Sequence, residues 1–367
     1  MKRRDFVNKA TGALLAAPLV GCTQGEQTAA KQPSDNKTYK WKMVTCWPKN
    51  YPGLGASAER IAENINRMSN GRLQVTVYGA GELVSAFEVF DTVRSGAVAM
   101  GHSAAYYWQG KNRAFNFFGA VPFGMNIVEM IAWFNHGGGQ ALWDEGYSEF
   151  GLIPIAVGGT GIQMGGWFNR EINSIEDLKG IKIRIPGLAS QIYEQLGMIP
   201  VNLPGGELFT ALQTGMIDAV EWVSPYNDLT LGFYKIAKYY YYPGWQEPGV
   251  MIECILNKEM FMELPEDLQA VVRNACNAES MRLLTEYLAL NPDSLKILQD
   301  KHGVQLRKFP DAVLNRIREV ANDALQQVAS ESDYARRVYQ SYNDFLGKMK
   351  MWSQYSEKMV YDIRDAK

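Results

Sequence analysis

From Leu73 to Tyr78 apolar and polar positions alternate (LQVTVY), the period-two pattern of a strand buried on one face. Upstream, residues 40–47 read as a first strand, closed by the turn-rich PKNYPGLG. A helix is expected over 56–68, with Ile61 and Ile65 four apart, Met68 three further on and Asn70-Gly71 as its stop. After Gly79 the pattern predicts a helix from Ser85 to Arg94, a stop at Ser95-Gly96 and a short strand to His102. The same grammar returns further on. GIKIRIPGL alternates Ile181, Ile183 and Ile185 with Lys182 and Arg184 before Pro186-Gly187 ends the strand. A helix over 190–196, a strand at Ile199, a helix opened by Gly205 and running to Gln213, and a strand from Ile217 follow. GAGELVSAFEVFDTVRSGAVAMGH and PGGELFTALQTGMIDAVEW share a Gly-Glu-Leu helix start and a Ser/Thr-Gly stop before a strand. Either this is chance, or two α/β lobes of related build face one another. Strands alternating with helices imply mostly parallel sheets with ligand sites at the strands' carboxyl ends. Beyond Pro265 helices are expected over 266–290, 311–329 and 333–363. The last is long, amphipathic and rich in aromatics (Tyr339, Tyr342, Phe345, Trp352, Tyr355), fit to pack across the lobes or to bury itself on a second subunit.

A chain of 367 residues is long enough for two lobes. A net charge of only -2 gives no electrostatic case for nucleic acid. Nine Trp, nineteen Tyr and fifteen Phe suit a core and the walls of a ligand cleft alike. The start is a different matter. MKRRDFVNKATGALLAAPLVGC has a basic head and a short, mildly apolar run, so residues 1–22 read as an export signal. Arg3-Arg4 before Phe6 and Val7 resembles a twin-arginine signal, and Leu19-Val20-Gly21-Cys22 resembles a lipobox that would lipidate Cys22. The plainer alternative is an ordinary cleaved signal. Residues 23–38 are polar and read as a flexible tether. The remaining Cys46, Cys254 and Cys276 have no CxxC spacing, which argues against zinc and allows at most one disulfide.

Enzyme signatures are sparse. Three histidines are present, His136 precedes Gly137-Gly138-Gly139 without a GxSxG, and neither GxGxxG after a strand, P-loop nor HExxH occurs. A binding cleft has better support. Arg184 ends its strand, where a guanidinium is either solvated at an edge or placed to hold a carboxylate. Gln163 lies in the glycine-rich GIQMGGWFN, Glu221 and Trp222 at the far end of an apolar strand, and Gln246-Glu247 after KYYYYPGW. Glutamates and a glutamine amide are hard oxygen ligands, suited to Na⁺ or Ca²⁺. A bare glutamate beside a bound carboxylate would repel it by about 4 kcal/mol at 4 Å in a partly desolvated site, and a cation between them turns repulsion into coordination. The competing possibility is that Glu221 and Glu247 simply pair with nearby basic residues.

KIRIP with Arg184, LQTGMIDAVEW and the lobe grammar resemble the extracytoplasmic solute receptors of TRAP (tripartite ATP-independent periplasmic) transporters, over essentially everything from Tyr39 onward. AYYWQGK, AFNFFGAVPFGM, HGGGQALWDE, GGWFNREINS, PGGELFTALQ, EWVSPYNDL and KYYYYPG look like the subgroup that binds 2-oxo acids such as pyruvate, or lactate, with a metal ion. The resemblance implies an α/β, two-lobed solute-binding fold with a hinge, mixed sheets flanked by helices and a long C-terminal helix. It implies that Arg184 binds the substrate carboxylate, that Gln163, Glu221 and Glu247 hold Na⁺ or Ca²⁺ by side chains, and that Trp222 does so by its backbone carbonyl. Gln163 and Glu221 then also face the substrate, and Tyr106, Tyr107 and Trp108 form the cleft wall of the first lobe. Where dicarboxylate and sialic-acid receptors commonly carry a second arginine, this chain has Gln163. Lobe I is expected over 39–159 and 251–310, lobe II over 160–250, and C-terminal helices over 311–367, the last of them swapped in a homodimer. The expected partners are a small carboxylate and the membrane permease subunits, in the periplasm, with lipid anchoring and twin-arginine export. The rival readings are an ABC-type solute receptor without a metal and, further off, an enzyme.

Overall fold

The computed structural model describes residues 37–366. The signal over 1–22, Cys22 and nearly all of the tether lie outside the described residues.

Among the described residues eleven strands form two sheets. The first contains β1 (Tyr39–Thr45), β2 (Leu73–Tyr78), β3 (Met100–Ser103), β4 (Leu152–Gly159) and β10 (Met251–Asn257), in the order β2-β1-β3-β10-β4. The second contains β5 (Gly166–Phe168), β6 (Lys182–Arg184), β7 (Ile199–Val201), β8 (Ala219–Val220), β9 (Tyr239–Tyr242) and β11 (Gln305–Lys308), in the order β11-β9-β5-β8-β6-β7. The repeat in the sequence corresponds to a repeat in space. β1 lies between β2 and β3, and β6 between β7 and β8, all in parallel. The two Gly-Glu-Leu segments occupy equivalent places, joining β2 to β3 and β7 to β8.

The sheets are mixed rather than mostly parallel. β10 runs antiparallel to β3 and β4, and β5 antiparallel to β8 and β9. These strands are where the chain passes from one sheet to the other, so they enter their new sheet from the opposite end. The expected extent of lobe I to residue 310 also needs correcting: β11 pairs in parallel with β9, in the second sheet. The following helix, Asp311–Ser330, buries Val313, Ile317, Val320 and Ala321 in the second lobe's apolar cluster.

The helix expected to end near Leu290 continues from Glu266 to Asp300 through Pro292. Proline removes one backbone bond and crowds the preceding turn. Tyr287, Ser294 and Leu298, buried on either side of it, hold the helix together. This helix packs on β4 and on the helix Leu54–Met68 in the first lobe, and on the helix Pro225–Leu231 in the second. The final helix is two, Asp333–Ser353 and Glu357–Arg364. No described helix is long and apolar enough to cross a membrane.

Candidate functional site

Arg184 closes β6 and is 1% exposed. Its strand pairs with β8, Arg184 opposite Val220, so the next residue on β8's chain, Glu221, arrives beside the guanidinium. Arg184 Nε donates to the Leu203 carbonyl (3.0 Å), Nη1 to the Glu221 carbonyl (2.8 Å) and Nη2 to Tyr107 Oη (3.4 Å). Two of the donors are held by backbone, which fixes the plane of the fork. The long Tyr107 contact is the one a carboxylate would replace with a charge-assisted bond. The guanidinium also lies over the Trp222 ring, 4.9 Å from its centre. Glu221 Oε2 is 3.9 Å from Nη1, too far to satisfy either group.

Gln163 lies on the crossing from β4 to β5, and Gln246 and Glu247 on the crossing from β9 to β10. The two crossings run side by side: Gln163 N donates to the Glu247 carbonyl at 3.2 Å. Gly244 permits this approach, since a Cβ there would sit 2.1 Å from the Gln163 carbonyl oxygen. Gln246 Nε2 donates to the Met164 carbonyl (2.7 Å) and reaches Glu221 Oε1 (3.4 Å), while Gln163 Nε2 donates to Thr160 Oγ1 (3.0 Å). What remains is four buried oxygens without a donor: Gln163 Oε1, Glu221 Oε2, Gln246 Oε1 and Glu247 Oε2. A buried acceptor left without a partner costs on the order of 1–3 kcal/mol. Four such atoms on neighbouring side chains make a set of hard oxygen donors that a cation fits.

The electrostatics agree. Burial pushes the Glu221 carboxyl up to about 8 against the pull of Arg184, with Asp228 adding to the rise and the Gln246 amide opposing it. Burial, then the Glu221 charge, push Glu247 well above the usual carboxylate range, with Arg184 opposing. Two buried carboxylates therefore share one arginine, an arrangement that opposes the ionisation of both unless a cation supplies the missing positive charge. Among the described residues no set of three or more His, Cys, Asp or Glu side chains is gathered for a metal. The donors here are two carboxylates and two amides, not a zinc set.

The first lobe supplies the facing wall. Its Trp47, Tyr106 and Tyr107 face Thr160, Gln163 and Trp222 across a narrow cavity of about 10 Å³, room for little more than one water molecule. Trp47 meets Tyr107 and Trp222 with ring centres 6.0 and 6.2 Å apart.

A model of bacterial extracellular solute-binding protein, family 7, matches residues 43–332. The chain belongs to this family. It is 38% identical over 357 residues to a monocarboxylate 2-oxoacid-binding periplasmic protein of Nostoc sp., covering 97% of each chain. A TRAP periplasmic solute-binding protein from Pseudoalteromonas atlantica, crystallised with sodium and pyruvate, superposes with a TM-score of 0.87 at 39% identity, over 89% of this chain and 99% of that one. A TRAP transporter solute-binding protein from Bordetella bronchiseptica, a mixed-occupancy dimer with calcium and picolinate in one site, superposes with a TM-score of 0.88 at 32% identity, over 90% and 98%.

In this family 7 chain the structure brings Arg184, Gln163, Glu221, Trp222, Glu247, Tyr106 and Tyr107 together and leaves Trp108 out. Trp108 turns into the first lobe, donating from Nε1 to Glu253 Oε1 at 2.7 Å. Residues Ala105–Trp108 form a 3₁₀ turn, in which successive side chains diverge by about 120°, so three consecutive aromatics cannot share one wall. Trp47 and Thr160, for which the sequence offers no signal, line the same cavity, and Gln246, a weaker candidate noted there only through its place beside Glu247, sets its amide against Glu221.

Glu253 accepts from Ser103 Oγ and Trp108 Nε1 on one oxygen and from Tyr147 Oη on the other, each at 2.7 Å. Burial nevertheless pushes it up to about 7, against those three bonds. Its folded value exceeds its unfolded one, so its contribution to stability is full below the unfolded value and is lost as pH rises towards 7. Between about pH 5 and about pH 7.5 this loss is on the order of 2 kcal/mol. Glu253→Gln should flatten that part of the profile, read by denaturant titration of both proteins at both pH values.

Proposed function

We propose that this chain is the solute receptor of a TRAP transporter and captures a small 2-oxo or 2-hydroxy monocarboxylate together with Na⁺ or Ca²⁺. One observation carries the reading: the four donor-less buried oxygens of Gln163, Glu221, Gln246 and Glu247 stand beside a fixed guanidinium at the meeting of the two lobes. Arg184 would hold the carboxylate, with Tyr107 giving up its long bond. Gln163, Glu221, Glu247 and the Trp222 carbonyl would hold the ion, with Gln246 as a further oxygen donor. The ion supplies the positive charge that lets two glutamates and a ligand carboxylate share one buried space. Pyruvate in one relative and picolinate in another share a carboxylate with a second donor atom on the adjacent carbon. Trp47, Tyr106, Tyr107 and Trp222 hem the space in closely, which favours a small ligand, and the residues lining the cavity include no basic group for a second carboxylate.

Lobe I takes 39–159 and 251–304, and lobe II takes 160–250 with 305–330. The two crossings at Gln163 and Glu247 would be the hinge, so the closed receptor is the form presented to the membrane permease. Reversible capture is the whole of the chemistry; no reaction is assigned. The family places the protein outside the cytoplasm, and the twin-arginine pair and Cys22 support export by that route and lipid anchoring, which mass spectrometry of the mature N-terminus would test. Met351, Trp352, Tyr355, Met359 and Ile363 expose apolar surface along the two last helices, which supports burial on a second copy. A monomer in sedimentation at micromolar concentration would count against that.

The decisive experiment is a thermal-shift panel of 2-oxo and 2-hydroxy acids with Na⁺, Ca²⁺ or chelator. Pyruvate or lactate should raise the melting temperature only when one of the ions is present. A shift of equal size in chelator would refute the ion's role and point to an ion-independent carboxylate receptor.

A further inference from the structure

One group of hydrogen bonds joins the lobes beside the cation donors without belonging to them. Tyr51 follows β1, in the tightly wound loop ahead of the helix Leu54–Met68, and is 7% exposed. Its hydroxyl accepts from Trp222 Nε1 (3.1 Å) and donates to the Asn227 carbonyl (3.2 Å). The rings of Tyr51 and Trp222 meet edge to face at 6.3 Å. Asn227, in the second lobe's helix Pro225–Leu231, returns the contact: its Nδ2 donates to the Pro52 carbonyl at 2.8 Å, and its Oδ1 accepts from Tyr287 of the long bridging helix. The polar capacity of Asn227's side chain and its carbonyl is thus directed at the Tyr51-Pro52 loop and Tyr287. The loop is built for this position. Asn50 adopts φ 58° and Gly53 φ 70°, and a Cβ on Gly53 would sit 2.5 Å from the Tyr287 hydroxyl. A non-glycine residue in the left-handed region costs energy that surrounding contacts must offset.

Trp222 is the pivotal residue. One face of its ring lies under Arg184 and its edge rests on Tyr51, while its own main chain follows directly on Glu221. The geometry points to Tyr51 as the closure latch of the cleft: its hydroxyl, bridging Trp222 and Asn227, holds the second lobe shut over the bound carboxylate and ion and sets how long they stay. The inference rests on the ligand reading above. It makes Tyr51 a positioning residue that touches neither ligand.

Tyr51→Phe keeps the ring and removes only the bridging hydroxyl. Stopped-flow measurement of pyruvate binding, with Ca²⁺ and with Na⁺, should show release about tenfold faster, the loss of one to two ordinary hydrogen bonds. Association should stay within about twofold, because the open cleft that ligand enters lacks the latch in both proteins. The ligand-free melting temperature should be unchanged. A lowered ligand-free melting temperature with an unchanged release rate would make the contact merely structural and overturn the latch. A parent protein that responds to pyruvate with neither ion would refute the ligand assignment instead, and the latch as stated with it. Arg184→Ala in the same assay separates the two, because it removes binding without touching the Tyr51 hydroxyl.

Discussion

Arg184→Ala is expected to weaken carboxylate binding by about 150- to 5,000-fold while leaving a cooperatively folded protein. Removing one partner of a buried charge pair costs about 3–5 kcal/mol, which sets that range. The guanidinium is the basic group held against the Glu221 carbonyl, the Leu203 carbonyl and the face of Trp222, so no flexible neighbour can take over. Two backbone carbonyls lose a donor in the variant, and a few degrees of melting temperature should go with them. Arg184→Lys tests the fork itself: an ammonium can reach the same place but cannot keep two carbonyls and bind a carboxylate side-on, so most of the affinity should still be lost. Titration calorimetry with pyruvate and Ca²⁺ measures both variants. Affinity within threefold of the parent in Arg184→Ala would remove the arginine from the site.

The second large effect has opposite signs with and without ligand. Glu247→Gln and Glu221→Gln each remove a buried carboxylate while keeping its shape and one oxygen. In the ligand-free protein both groups are raised by burial, so their contribution to stability is full below the unfolded carboxylate value and lost as pH rises. For Glu221 the loss runs up to about pH 8. The amide variants escape that loss and should be more stable than the parent around pH 8, by about 1–2 kcal/mol after allowing for solvent relaxation around buried charges. With Ca²⁺ the order reverses. One ligand charge is worth about 4 kcal/mol at contact distance in a partly desolvated site, so ion-dependent pyruvate affinity should fall by at least about 100-fold. Denaturant titration in chelator and calorimetry with ion and pyruvate read the two halves. If the amide variants are less stable without ligand, the carboxylates are paired structural groups and not ion ligands.

How much of this was legible beforehand follows from how local each signal is. The β6 strand and its stop lie within nine residues, and alternation alone aims Arg184 at a strand end. Glu221 and Glu247 could be singled out because an acid closing an apolar strand or following a run of aromatics is out of place. Their meeting could not be seen, because it depends on Arg184 pairing opposite Val220 and on two crossings lying side by side. The antiparallel entry of β5 and β10 was hidden for the same reason: pairing direction is set by partners more than 50 residues away, not by the strand's own pattern. Trp108 misled because a run of aromatics was read without its turn geometry, and because its partner, Glu253, lies 145 residues downstream. Tyr51 carried no signal at all, since a tyrosine in a Pro- and Gly-rich loop looks like any turn residue.

The return of β11 and the helix Asp311–Ser330 to the second sheet has a consequence for how the molecule comes into being. No continuous stretch of chain encodes either lobe. A fragment of residues 160–250 would lack the strand that covers β9 and the helix whose Ile317 and Val320 share an apolar cluster with Phe168 and Ile183, leaving part of that cluster to water. The second lobe is therefore completed only after some fifty residues of first-lobe strand and bridging helix have been made. The two halves that must later move apart are obliged to fold together.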